Sequence, residues 1–233
     1  MKRFAAVFLG VSLVLTGFAL GAEKVQEGHG GLLIGVANRN LESLNARMRA
    51  GGYETFPSTA LMFGGWGWGS KGKWMLGGSG SGFWKRVGGQ VADATLSGGM
   101  GFFELGYKLE SAKASQVIGL AGFGGGGYTL KLVPHEVEQD FDNILRSTRT
   151  GSQLGSGQVL GKVGLQLDWI GPKIDKEKRT NLTVGVRLEY VFGITSPAWN
   201  VETSELHNAP DVSFSGFSLT LAVGFRGIQK SCD

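Results

Sequence analysis

Of 233 residues, 41 are glycine, more than twice the usual share of roughly 7%, which works against long helices. Apolar residues at 42% and charged residues at 18% are too oily and too lightly charged for a disordered chain, and the glycines lack the three-residue period of collagen. A single all-β unit fits the length, since barrels of roughly 200 to 250 residues are routinely one domain.

The chain opens with the pattern of an export signal. Lys2 and Arg3 precede an uncharged apolar run from Phe4 to Phe18, and Ala19, Gly21 and Ala22 offer small residues for cleavage. This divides the chain into a signal peptide, 1–22, and one mature domain, 23–233. Removing the two leader charges from 23 Lys+Arg leaves 21 against 19 Asp+Glu. The apparent basicity, with a pI near 9.2, therefore gives no footing for nucleic-acid binding, which needs a clustered basic face. Cys232 is the single cysteine, so no internal disulfide forms; it reads as a free thiol.

Eight strands follow in chain order: 31–38, 58–70, 73–84, 90–109, 116–132, 157–170, 181–194 and 211–227. Several alternate strictly. Phe217, Leu219, Leu221, Val223 and Phe225 share one face of the last strand, and Leu182, Val184, Val186, Leu188, Tyr190 and Phe192 share one face of the seventh. Val163, Leu165, Leu167 and Trp169, and Phe103, Leu105, Tyr107 and Leu109, repeat the pattern in the sixth and fourth. A period of two marks β-strands with one oily face, but it does not by itself choose between lipid and a protein core. The connections do. Turns at 71–72, 110–115 and 171–180 are shorter than the segments 39–57, 134–156 and 195–210, with 85–89 the exception, as in an outer-membrane barrel with its short turns on the periplasmic side.

Aromatics gather near the strand ends. Trp68, Trp74, Tyr107, Trp169 and Phe225 fall toward the short turns, whereas Trp84, Tyr128, Tyr190, Phe192 and Phe214 fall toward the long loops. Two interface girdles are expected from this placement. On the opposite face stand Glu104, Lys108, Lys162, Gln166, Asp168, Arg187 and Glu189. Eight strands enclose a space just wide enough for side chains to fill, so these are expected to form a polar network across the lumen, leaving no open porin-like channel.

With its leader, eight alternating segments and final strand from Phe217 to Phe225, the chain resembles the small bacterial outer-membrane β barrels as a class. The resemblance implies an eight-stranded antiparallel up-and-down transmembrane barrel, outer-membrane lipid and the barrel-insertion machinery as partners, and a monomer. Proteins of this class commonly end on the aromatic of the last strand, whereas here Gly227 to Asp233 follow.

Two segments read as helical. Leu41, Leu44 and Met48 recur at i, i+3 and i+7; the small-residue patch formed by Gly64 to Gly69, Gly77 to Gly82, Gly98 to Gly101 and Gly122 to Gly127 reads first as strand glycine that permits bending and close backbone approach, and alternatively as a seat for this helix, 41–50. In the second long loop, Pro134, Val137, Phe141, Ile144 and Leu145 recur at helical spacing, with acids toward the start and arginines toward the end. Catalytic signals are poor. The run from Gly122 to Gly127 spells a dinucleotide fingerprint but continues as a strand, with no helix to hold a pyrophosphate. His29, His135 and His207 have no metal-ligand spacing. The expected function is a non-enzymatic envelope protein without cofactor or metal, serving surface interaction, membrane integrity or passage of a small apolar ligand. A lipid-modifying enzyme using His135 or His207, and a soluble lipocalin-like binder, are the alternatives.

Overall fold

The computed structural model describes residues 27–89, 92–112, 114–134, 152–175, 180–201, 204–206 and 208–228. The export signal, the second long loop with its expected helix, His135, His207 and Cys232 lie outside the described residues.

Eight strands close on themselves. In chain order they are β1 (Glu27–Asn38), β2 (Thr59–Lys71), β3 (Trp74–Val87), β4 (Ala92–Ser111), β5 (Ser115–Pro134), β6 (Ser152–Asp175), β7 (Thr180–Gly193) and, after two short strands β8 (Ala198–Val201) and β9 (Ser204–Glu205), β10 (Gly216–Ile228). Each barrel strand pairs antiparallel with its neighbours; β1 meets β10, and the β5–β6 pairing completes the ring. Closure leaves no barrel edge strand exposed, the condition for a sheet to sit in hydrocarbon. At the short end the first turn keeps its expected two residues but shifts by one, and the other two connections are shorter than expected. Gly72 and Lys73 alone join β2 to β3, with Gly72 at φ +59, the left-handed first position that a two-residue hairpin turn of this kind assigns to glycine. Strands β4 and β5 continue to Ser111 and from Ser115, and β6 and β7 to Asp175 and from Thr180, trimming the expected connections there to three and four residues.

The wall is uneven in height. Strands β4 and β5 have 20 residues and β6 has 24, against 12 to 14 for β1, β2, β3, β7 and β10. The part of β6 that outruns β7 pairs instead with β8 through Gly155, Ser156 and Gly157, so the last long loop is itself stitched to the wall.

Alternation sorts the faces as the sequence pattern requires. Leu32, Ile34 and Val36 of β1, Val163, Leu165, Leu167 and Trp169 of β6, Val186, Leu188, Tyr190 and Phe192 of β7, and Phe217 through Phe225 at odd positions of β10 are all exposed on the outside. On β2 to β6 that outer face carries glycines in register. Gly65, Gly80, Gly101 and Gly125 form one row across four strands, and Gly82, Gly99, Gly127 and Gly157 form the next.

One helix, α1 (Glu42–Ala50), follows β1. The Asn40 side chain accepts from the Glu42 N–H at 3.2 Å at its start, and Gly52, at φ +78, ends it. Leu41, Leu44 and Met48 are buried in an apolar cluster with Phe83, Ala94, Leu96, Phe102, Tyr128 and Leu130 of β3 to β5. α1 reaches the strands through Leu44 and Met48, which pack in this apolar side-chain cluster of β3 to β5. The inward glycines make room for rings. A Cβ on Gly98 would lie 2.6 Å from Phe83 and 3.2 Å from Tyr128.

Candidate functional site

The interior is layered from the long-loop end inward. Outermost lies the apolar cluster around α1, joined by Val212, Phe214 and Trp199 from the last long loop. Phe214 stacks on Tyr128 at 4.0 Å between ring centroids, and the Trp199 indole donates to the Pro210 carbonyl at 2.8 Å. Within this layer Arg39 is 2% exposed. Its guanidinium donates to the Phe214 carbonyl at 2.8 Å and points at the sulfurs of Met62 and Met100 at 3.6 and 3.7 Å. Burial pulls its pKa below the ordinary arginine value, though a guanidinium stays charged at any physiological pH.

The next layer is charged. Glu104, on β4, is fully buried and accepts from the Trp68 indole at 2.7 Å, from the Ser79 hydroxyl, from the Lys162 ammonium, and from Arg187 at 3.3 Å. Glu189, two residues beyond Arg187 on β7, takes Lys162 at 2.7 Å and Arg187 at 3.4 Å. Two acids and two bases thus compensate each other across β4, β6 and β7. Rings bracket the cations: the Arg187 guanidinium lies 4.8 Å from the Trp68 centroid and 5.9 Å from Trp66, and the Lys162 ammonium 4.7 Å from Phe102. Such contacts are stronger where water is excluded. Arg187 also donates through Nε to Gln166 at 2.8 Å, and Gln166 donates to Asp168 at 2.6 Å. Asp168 takes a second amide bond from Gln116 at 3.0 Å.

Lys108 belongs elsewhere. It pairs with Glu27 at 2.8 Å near the short-turn end, where Glu27 also meets His29 at 3.3 Å and Arg226. This second cluster ties the first strand to the last across the closing β1–β10 seam and to β4. Between the two polar clusters sits a small apolar layer of Leu33, Trp66, Trp68, Met75, Ile118, Leu120 and Ala222.

Six of the seven expected polar residues, Glu104, Lys162, Gln166, Asp168, Arg187 and Glu189, therefore come together, and Lys108 joins partners that sequence reasoning missed. Glu27 and His29 lay ahead of the expected first strand because Gly28, Gly30 and Gly31 interrupt its apolar alternation. Ser79 was read only as part of a small-residue patch. Arg39 and Trp66 carried no motif.

The aromatics divide. Trp74, Trp84, Trp169, Tyr190 and Phe225 are exposed on the outside, and Tyr107 lies half-buried against Trp74 at 4.8 Å. Trp68 and Tyr128 correct the girdle assignment: they are 5% and 2% exposed and face inward, Trp68 onto Glu104 and Tyr128 onto Phe214 with its hydroxyl donating to the Ser213 carbonyl at 3.2 Å. Phe214, also expected in a girdle, is 1% exposed. Even-numbered residues of β2 and β5 point inward, and a polar handle suits a buried ring only where a partner waits.

Glu104, Lys162, Arg187 and Glu189 are spent on one another, whereas Asp168 is held by amides and Arg39 by a carbonyl and two sulfurs. Among the described residues no group of three His, Cys, Asp or Glu side chains could hold a metal ion, and His29 sits against Glu27 at the short-turn end, remote from the loops.

A closed eight-strand antiparallel sheet, oily outside and charged within, has the architecture of the small bacterial outer-membrane β barrels. No family model matches the sequence, and no curated protein does. Among solved structures it is similar to Ail, the attachment invasion locus protein of Yersinia pestis, in complex with the heparin analogue sucrose octasulfate, at 12% identity over 85% of this chain and 98% of that one, with a TM-score of 0.47. A second Ail structure gives 13% identity, 87% and 99% coverage and a TM-score of 0.41. The translocator domain of the autotransporter NalP from Neisseria meningitidis gives 10% identity, 97% coverage of both chains and a TM-score of 0.31.

Proposed function

We propose that the mature chain, 23–233 after loss of residues 1–22, is a monomeric, non-enzymatic surface-interaction protein of the outer membrane, with its long-loop end facing outward and its interior closed to solutes. The observation that carries this reading is the filling of the interior at two levels. Glu104, Lys162, Arg187 and Glu189 bridge the middle, and Leu44 and Met48 of α1 pack with Trp199 and Phe214 over the mouth. A solute following the axis would have to displace both, and breaking a buried charge cluster strands its members at a cost of several kcal/mol. The charged middle also disfavours passage of an apolar ligand. What remains available is the cap built from α1 and the last long loop, together with the lipid-facing wall. The girdle role belongs, on this reading, to Trp74, Trp84, Tyr107, Trp169, Tyr190 and Phe225.

Planar-bilayer recording tests the reading. The purified barrel is expected to give no resolved conductance steps, whereas a variant lacking residues 42–50 gives small, irregular ones. Steady conductance from the intact chain would overturn it.

A further inference from the structure

The outer mouth holds an open cleft of about 620 Å³ beside α1, within the roughly 300 to 1,000 Å³ typical of small-molecule sites. Glu42, Asn45 and Arg49 line one wall, at i, i+3 and i+7 of the helix. They form a stripe beside the one that sends Leu44 and Met48 into the barrel, about a quarter-turn around the helix. Thr55, Ser58 and Ser215 also line it, and the segment from Asn38 to Leu41, Arg39 included, contributes the rest with Gly216. Phe217, the first outward residue of β10, is 61% exposed at the rim.

The cleft is built rather than incidental. Both atoms of the Asn45 amide are tied to the Phe56 backbone, at 2.8 and 2.9 Å, which holds the helix wall at a set distance from the segment entering β2. The Asn40 side-chain oxygen is committed to the Glu42 N–H, leaving its NH₂ to donate. Among the described residues, neither Glu42 nor Arg49 makes an ion pair. Arg39, which also lines the cleft, makes no salt bridge among the described residues, and Glu189 is the carboxylate that acts on its guanidinium from a distance.

We propose that this cleft binds a saccharide bearing an anionic group. Sugar hydroxyls pair with Asn38, Asn40 and Glu42, the anionic group with Arg49, and an apolar sugar face lies against Phe217. An apolar ligand finds a mostly polar wall here, with the nearly buried Leu41 and the rim Phe217 as its apolar parts, and an extended peptide finds no free strand, because β1 and β10 are both paired on either side. The same chemistry is offered by the sugar-phosphate headgroup of an outer-leaflet glycolipid and by a free acidic glycan. The proposal deepens the surface-interaction reading and rests on the long-loop end facing outward.

The test is calorimetric titration of the full mature chain in phosphatidylcholine nanodiscs with three soluble probes: a phosphorylated glucosamine disaccharide, a uronic-acid disaccharide and a neutral glucose disaccharide. Saturable binding of an acidic probe is expected, with the phosphorylated one preferred if the source is a lipid headgroup and the uronate preferred if it is a free glycan. Arg49→Ala should weaken that binding about tenfold, the loss of one charge-assisted contact, while Arg47→Ala, on the same helix but outside the cleft, changes it less than twofold. Binding of neither acidic probe, equal binding of the neutral one, or equal losses in the two arginine variants would overturn the proposal. A chain that enters nanodiscs folded but binds nothing refutes the cleft alone, whereas one that cannot enter them refutes the membrane reading.

Discussion

The two halves of the barrel wall meet their surroundings differently. From β6 through β7 and β10 to β1, the outer face is largely a field of Val, Leu, Ile and Phe; from β2 to β5 the wall is crossed by a registered row of glycine, and a second row runs from β3 to its end at Gly157 of β6. The inside mirrors the contrast. The charged layer draws Lys162, Arg187 and Glu189 from the oily half and anchors on Glu104 in the glycine half, where small inward residues leave room for Trp68, Phe83 and Tyr128. Oily exteriors and charged interiors can share a strand because alternation separates them. Glycine on both faces thins the wall where rings must fit inside.

The largest expected effect comes from the anchor. Glu104→Leu leaves Lys162 and Arg187 with one carboxylate between them, and stranding buried charge costs about 3 to 5 kcal/mol, read as a lowered midpoint of urea unfolding in phospholipid vesicles. An unchanged midpoint would mean that water reaches the layer freely. Next comes Leu188→Arg, on the oily half at mid-wall and 48% exposed. A cation facing the bilayer midplane should cost about 2 to 4 kcal/mol and slow insertion, and a harmless exchange would reverse the facing of β7.

The glycine half makes a sharper pair. At Gly98 an added methyl runs into Phe83, so Gly98→Ala should destabilise by about 1 to 3 kcal/mol through overpacking. At Gly101, three residues on and facing outward, a Cβ meets nothing within 4 Å. Gly101→Leu should shift stability by less than about 1 kcal/mol, since surface changes without new clashes are usually small. Equal effects at the two positions would erase the distinction between inward and outward glycine.

Much of this arrangement was legible in the sequence because it follows from a period of two. The outward faces of β4, β6, β7 and β10 and six of the seven polar lumen residues needed only alternation and the narrowness of an eight-strand ring. Trp68 and Tyr128 were misplaced because aromatics near strand ends suit a membrane interface and a barrel interior equally well, and only the position of Glu104 and of Phe214, 36 and 86 residues away in the chain, decides between them. Arg39 and the β8–β9 hairpin were illegible for the same reason: each is held by partners distant in sequence, and neither carries a local pattern.

The central claim is that the outer face touches hydrocarbon and the inner face does not, and the six tryptophans divide evenly for testing it: Trp74, Trp84 and Trp169 are outside, Trp66, Trp68 and Trp199 inside. The measurement is fluorescence quenching by chain-brominated phospholipids in two single-tryptophan variants, one keeping Trp169 and the other Trp68. Strong quenching of Trp169 with little of Trp68 is predicted; equal quenching of the two, or none of Trp169, would contradict the account.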